Sequence, residues 1–130
     1  MLSRAESWLK QAEKDLKHAE FSLKIGEYEW ACFAAHQAVW KALKAFLLSC
    51  GADVRSNSIT VLLKEVSRRI KVPQEFSDVA LILDSYYMLF RYPDIVPEAF
   101  PSAADAQKDA RNALMGAKRI IDFIRGVIRE

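Results

Sequence analysis

A chain of 130 residues is the length of one ordinary domain, and no linker-like stretch divides it, so residues 1–130 read as a single domain with one core. Apolar residues make up 52% of it and charged residues 28%, a balance that excludes a disordered or membrane-spanning chain, and a core of this size needs neither disulfides nor a structural metal. The formal net charge of +2 is too small to mark a nucleic-acid binder by itself, so the placement of charge has to decide.

The opening residues MLSRAESWLKQAEKD carry a charge every few positions, unlike a signal peptide, and no apolar run approaches the roughly 20 residues of a membrane span. The expectation is a cytoplasmic protein that does not touch the membrane. Ser3 and Glu6 form an S-x-x-E capping box, followed by Ala5, Leu9, Ala12, Leu16, Ala19 and Leu23 at three- and four-residue steps. This predicts a first amphipathic helix over about Ser3 to Ile25. Gly26 ends it, and a second helix runs from about Glu27 to Cys50, closed by Gly51. So short a turn makes the two helices antiparallel neighbours.

On a helical wheel the second helix has a ridge of Ala31, Ala35, Ala38, Ala42 and Ala45 beside a bulky arc of Phe33, Trp40, Leu43 and Leu47. Apolar coverage this wide marks a central helix, with a narrow polar strip of Gln37, Lys41 and Lys44. Cys32 and Cys50 both fall on this helix, about 27 Å apart along its axis, which excludes a disulfide within the chain and predicts two buried thiols.

Ser58 caps a third, shorter helix with Ile59, Leu62, Leu63 and Val66 inward, ending near Ile70. Pro73 favours the first position of a fourth helix, whose inward residues are Val79, Ile82, Leu83, Tyr86, Leu89 and Phe90 and which stops near Arg91 because Pro93 follows. The segment Pro93 to Pro101 reads as an ordered loop with Ile95, Val96 and Phe100 to bury. Ser102 and Asp105 cap a last helix with the stripe Ala106, Ala110, Ala113, Leu114, Ala117, Ile121, Ile124 and Ile128. The predicted fold is all-α: an up-down antiparallel bundle of four long helices plus one short helix.

Few residues suit standard catalytic chemistry. His18 and His36 are the two histidines, and neither stands at metal-ligand spacing from another ligand, so no metal site and no cofactor are expected. His36 falls among Cys32, Phe33, Trp40 and Leu43 and reads as a hydrogen-bonded core residue, His18 as an exposed one. No phosphate-binding glycine loop or nucleophile elbow is present.

Cations offer more. Lys10, Lys14, Lys17 and Lys24 share one face of the first helix, and Lys41 and Lys44 stand on the next; rows meeting at an edge would attract phosphate. The opposite reading is a solvated face balanced by Glu6, Glu13 and Glu20. Arg91 ends the fourth helix, where its charge suits the helix dipole, yet with Tyr86, Tyr87 and Tyr92 nearby it also has the donors and rings that hold a phosphate and a base.

Together the segments resemble the HEPN family, a nucleotide-binding domain of higher eukaryotes and prokaryotes. AEKDLKHAEFSLKIGEYEWACFAAHQAVWKALKAFLLSCG is similar to that family's opening hairpin, with its A-x-x-D-L segment, G-x-Y turn and A-x-F-x-x-x-Q-A core, and YYMLFRYPD resembles its tyrosine-bearing helix ending in R-Y-P-D, here Arg91, Tyr92, Pro93 and Asp94. The resemblance implies a helical homodimer that binds a nucleotide or RNA and pairs with a minimal nucleotidyltransferase in a toxin–antitoxin-like system. With the two lysine rows, this makes Arg91, Tyr92, Lys14, Lys41 and Lys44 the expected nucleotide- or phosphate-binding residues.

Many HEPN members cleave RNA without metal, using an arginine followed four to six residues later by a histidine. Here YPDIVPEAF follows Arg91 with no histidine, and Asn57 stands where many relatives have another, so the usual proton carrier is missing. A binding module is therefore the first expectation. Alternatives are a metal-independent endoribonuclease with Arg91 and Asp94 as candidate catalytic residues, and a helical adaptor that binds only protein.

Overall fold

The computed structural model of the chain describes residues 3–91 and 103–128; the side chains of residues 89–91, 103 and 104 lie outside that description. The described residues form five α-helices, α1 (Arg4–Lys24), α2 (Tyr28–Ser49), α3 (Ile59–Ser67), α4 (Phe76–Arg91) and α5 (Ala103–Val127), and no strand. The all-α bundle of four long helices and one short one is what the sequence predicts.

Local chemistry sets the helix ends. The Ser3 hydroxyl accepts from the Glu6 N–H at 3.1 Å, and the Ser3 N–H donates to Glu6 Oε1 at 3.0 Å, closing the capping box that starts α1. Gly26 (φ 82°) and Gly51 (φ 78°) follow α1 and α2 in the left-handed region, where a side chain would strain the backbone. Ser58 caps α3 through its hydroxyl, which accepts from the Val61 N–H at 3.2 Å.

Helix α2 touches all four other helices, and thirteen of its residues are buried, which makes it the axis of the bundle. Ala31, Ala35, Ala38 and Ala42 of α2 and Ala12 and Ala19 of α1 are small members of the buried core, and Leu43 and Leu47 fill its centre with Ile59, Leu62, Leu83, Ile120, Ile121 and Ile124. Trp8 of α1 meets Trp40 of α2, and Asp84 and Tyr87 of α4 meet His36 and Phe33 of α2, so α1 and α4 both run opposite to α2. A Cβ added at Gly116 would stand 2.8 Å from Val79 Cγ1, which marks a close approach of α5 to α4.

Four expectations need correction. Cys32 is buried, but Cys50 is exposed: it is the C-cap of α2, where the chain turns away from the core. Ile82 is 48% exposed, because the inward stripe of α4 is Phe76, Ala80 and Leu83, and α2, α3 and α5 cover only that side. Lys44 belongs to no solvated strip and is buried. Pro73 lies three residues before α4, in a turn where its carbonyl accepts the Phe76 N–H at 3.1 Å. The loop Pro93–Pro101, with Ile95, Val96 and Phe100, and the Ser102 cap lie outside the described residues.

Candidate functional site

Helical spacing puts Asp84, Tyr87 and position 91 on one face of α4. Asp84 anchors that face. Its Oδ2 accepts from Ser58 Oγ at 2.9 Å and from the Thr60 N–H at 3.0 Å, and its Oδ1 accepts from the Ile59 N–H at 2.8 Å and from His36 Nε2 at 3.1 Å. A carboxylate from α4 thereby satisfies the open N–H groups at the start of α3, where the helix dipole also favours negative charge. Partial burial by itself would raise the Asp84 carboxyl, but the hydrogen bonds from His36, Thr60, Ile59 and Ser58 outweigh it and hold the group well below the usual carboxylate range.

Because Asp84 can only accept, His36 Nε2 donates to it, and Nδ1 pairs with the Gln37 side-chain amide at 3.1 Å. His36 is 1% exposed, the hydrogen-bonded core histidine that its wheel position predicts. Tyr87 stacks on it at 4.5 Å and on Phe33 at 6.0 Å, and Trp30 meets Phe33 edge-on at 6.0 Å. These rings form a fixed aromatic ladder from α4 across α2. Deeper between the helices, burial pushes the Cys32 thiol up to about 12, helped by Asp109 and Glu29, which makes it an inert core group.

Phe33 and Trp30 also line a groove of about 270 Å³ between α1 and α2, together with Asp15, His18, Ala34, Gln37 and Lys41. Lys41 Nζ sits 2.6 Å from Asp15 Oδ2 at the groove wall. Lys14, one helical turn before His18, is exposed, as are Lys10, Lys17 and Lys24. Lys44 points elsewhere, donating to the Val54 carbonyl at 2.6 Å and to Asp53 Oδ1 at 3.1 Å.

Since Asp84 and His36 are level, position 91 lies about 10 Å beyond them toward the start of α2, and Lys44 about 12 Å the other way. The named cations are thus strung along the bundle and are not gathered around one phosphate. Tyr92 and Asp94 lie outside the described residues, as does the side chain of Arg91. The sequence alone does not single out His18, Trp30 or Phe33 as groove residues; their proximity comes from the pairing of α1 with α2, for which the hairpin signal at Gly26 is the only hint. Among the described residues no group of three His, Cys, Asp or Glu stands together as a metal site.

The family model of the HEPN domain matches residues 5–127. The crystal structure of TT1696 from Thermus thermophilus superposes with a TM-score of 0.83 at 40% identity, over 96% of this chain and 98% of that one. An archaeal HEPN homologue, ST0689, gives 0.80 at 35% identity over 98% of this chain and 100% of its own, and an HEPN domain protein from Thermotoga maritima gives 0.80 at 33% identity over 93% and 96%. No curated protein matches the chain significantly. An all-helical bundle of this order, matched by the family model over nearly its whole length, is an HEPN domain, and the chain belongs to the HEPN family.

Proposed function

We propose that this HEPN protein is an RNA- or nucleotide-binding module whose ligand lies along a strip from Lys14 and Lys41, through Phe33 and Tyr87, to Arg91 and Tyr92. The observation that carries this reading is the position of Phe33, which lines the Lys41 groove and also stacks on Tyr87, one turn before Arg91. Aromatic faces interleaved with cations are the chemistry that single-stranded nucleic acid requires. The spacing of the cations favours a run of several phosphates over a mononucleotide. Lys44, expected with this group, contributes by fixing the loop behind α2.

A thermal-shift panel of nucleotides and short RNAs at low salt tests the reading. Ligand at about 100 times its dissociation constant adds about 2.7 kcal/mol of stability, and an absence of any shift removes the proposal.

A second reading, metal-independent endoribonuclease activity, has one observation in its favour: the exposed His18 lines the groove that Lys41 enters. His36 is too deeply buried to serve as proton carrier. Cleavage of a structured RNA by the wild type that is lost in both Arg91→Ala and His18→Ala supports it; Asp94→Asn tests the remaining candidate base. Equal cleavage by all four proteins points to contamination.

In the same proposal the module is a homodimer and the partner of a minimal nucleotidyltransferase in a toxin–antitoxin-like pair. Leu81 and Met88, seven residues apart on α4 and 58% and 50% exposed, supply an apolar face for a protein contact. Co-purification with the product of an adjacent reading frame tests the pairing. A protein that captures that product but no nucleotide or RNA would be the adaptor instead.

A further inference from the structure

At the opposite end of the bundle from position 91, the start of α1, the second half of α2 and the loop before α3 enclose an open cleft of about 510 Å³. This is within the size range of small-ligand sites. Arg4, Lys44 and Arg55 line it with a single carboxylate, Asp53, so it is net positive, and Trp8, Trp40, Ser56 and Asn57 complete the wall.

The wall is fixed before any ligand arrives. Trp40 Nε1 donates to the Ser56 carbonyl at 2.6 Å, Trp8 meets the Trp40 ring edge-on at 5.5 Å, and Lys44 ties down Asp53 and the Val54 carbonyl. Lys44 and Asp53 neutralise each other, which holds the Asp53 carboxyl below its usual range chiefly through the Lys44 hydrogen bond. Arg55, 89% exposed, stands 4.0 Å from the other Asp53 oxygen, so together with the exposed Arg4 three cations share one carboxylate and the rim keeps an excess of positive charge.

We propose that this cleft is a second ligand site, separate from the Arg91 strip, for an anion that carries a flat ring: a base with its phosphate. Arginine forks at the rim suit phosphate oxygens, half-buried indoles offer the ring an aromatic surface, and the Asn57 amide presents one donor and one acceptor side to a base edge. That chemistry is the same in a free nucleotide and in one residue of an RNA. The proposal does not depend on the function assigned to the Arg91 strip.

Tryptophan fluorescence reads the site directly. The chain has three tryptophans, so a Trp30→Phe protein reports from Trp8 and Trp40 alone. We expect AMP or an oligoadenylate to quench it saturably, inorganic phosphate to compete without quenching, and adenosine to bind more weakly than AMP. Quenching by AMP identifies a free nucleotide as sufficient, and quenching by the oligomer alone identifies RNA as the source. Arg4→Ala with Arg55→Ala should weaken binding about tenfold or more without changing the unfolding midpoint, and Arg91→Ala should leave it intact. No quenching by either ligand, or quenching abolished by Arg91→Ala but not by the rim variants, overturns the proposal. RNA binding lost in Arg91→Ala while cleft quenching persists separates failure of one site from failure of the other.

Discussion

One carboxylate of α4, Asp84, receives the start of α3 and the ring of His36, so its loss leaves several buried donors without an acceptor. Asp84→Ala should cost about 2–4 kcal/mol in urea unfolding, and an unchanged midpoint would show that water replaces it without penalty. The same group predicts a pH dependence. Its folded-state pKa lies below the unfolded value near 3.9, so the stability it contributes is fully present above about pH 5 and is lost as pH falls through the unfolded value toward the folded one. Its neighbours across the contact are His36 from α2 and Ser58, Ile59 and Thr60 from α3. In Asp84→Asn that acid-side loss should flatten, measured as unfolding midpoints from pH 6 to pH 2.5. Lys44 makes a parallel case: Lys44→Ala removes the donor shared by Asp53 and the Val54 carbonyl, so amide exchange at residues 52–57 should quicken while that of α5 stays slow.

At the scale of helices, what is local was legible and what depends on neighbours was not. The Ser3–Glu6 box, Gly26, Gly51 and the Ser58 cap act within a few residues, and each sets a helix end as its sequence pattern predicts. The burial of Lys44 and the exposure of Ile82 depend on which surface arrives from elsewhere in the chain, and the wheel of a single helix carries no such information. Gly116 shows the same dependence between elements, since only the pairing of α4 with α5 makes a side chain there collide with Val79. Gly116→Ala should therefore destabilise the protein by about 1–3 kcal/mol despite the better helix propensity of alanine. Val79→Ala should relieve part of the loss in a double-mutant cycle, and strict additivity of the two changes would argue against the contact.

For the whole molecule, the family and the bundle followed from motifs spread over the chain, A-x-x-D-L, G-x-Y and R-Y-P-D, which the HEPN match over residues 5–127 bears out. The ligand surface was less legible, because grooves are made between helices: Phe33 reads as core on α2 but lies where α1, α2 and α4 meet. If the exposed α4 stripe pairs two copies, Leu81→Lys with Met88→Lys should convert a dimer to a monomer in light scattering without loss of helicity. A wild type that is already monomeric at micromolar concentration would contradict that pairing. Nucleic-acid binding that depends on Arg91 is the central claim, and it is tested most directly by the anisotropy of a labelled single-stranded RNA titrated at several salt concentrations. Binding should weaken with salt, with a slope in log K against log salt that falls by about 0.7 in Arg91→Ala as one phosphate contact is lost; equal affinity and equal slope in the two proteins would contradict it.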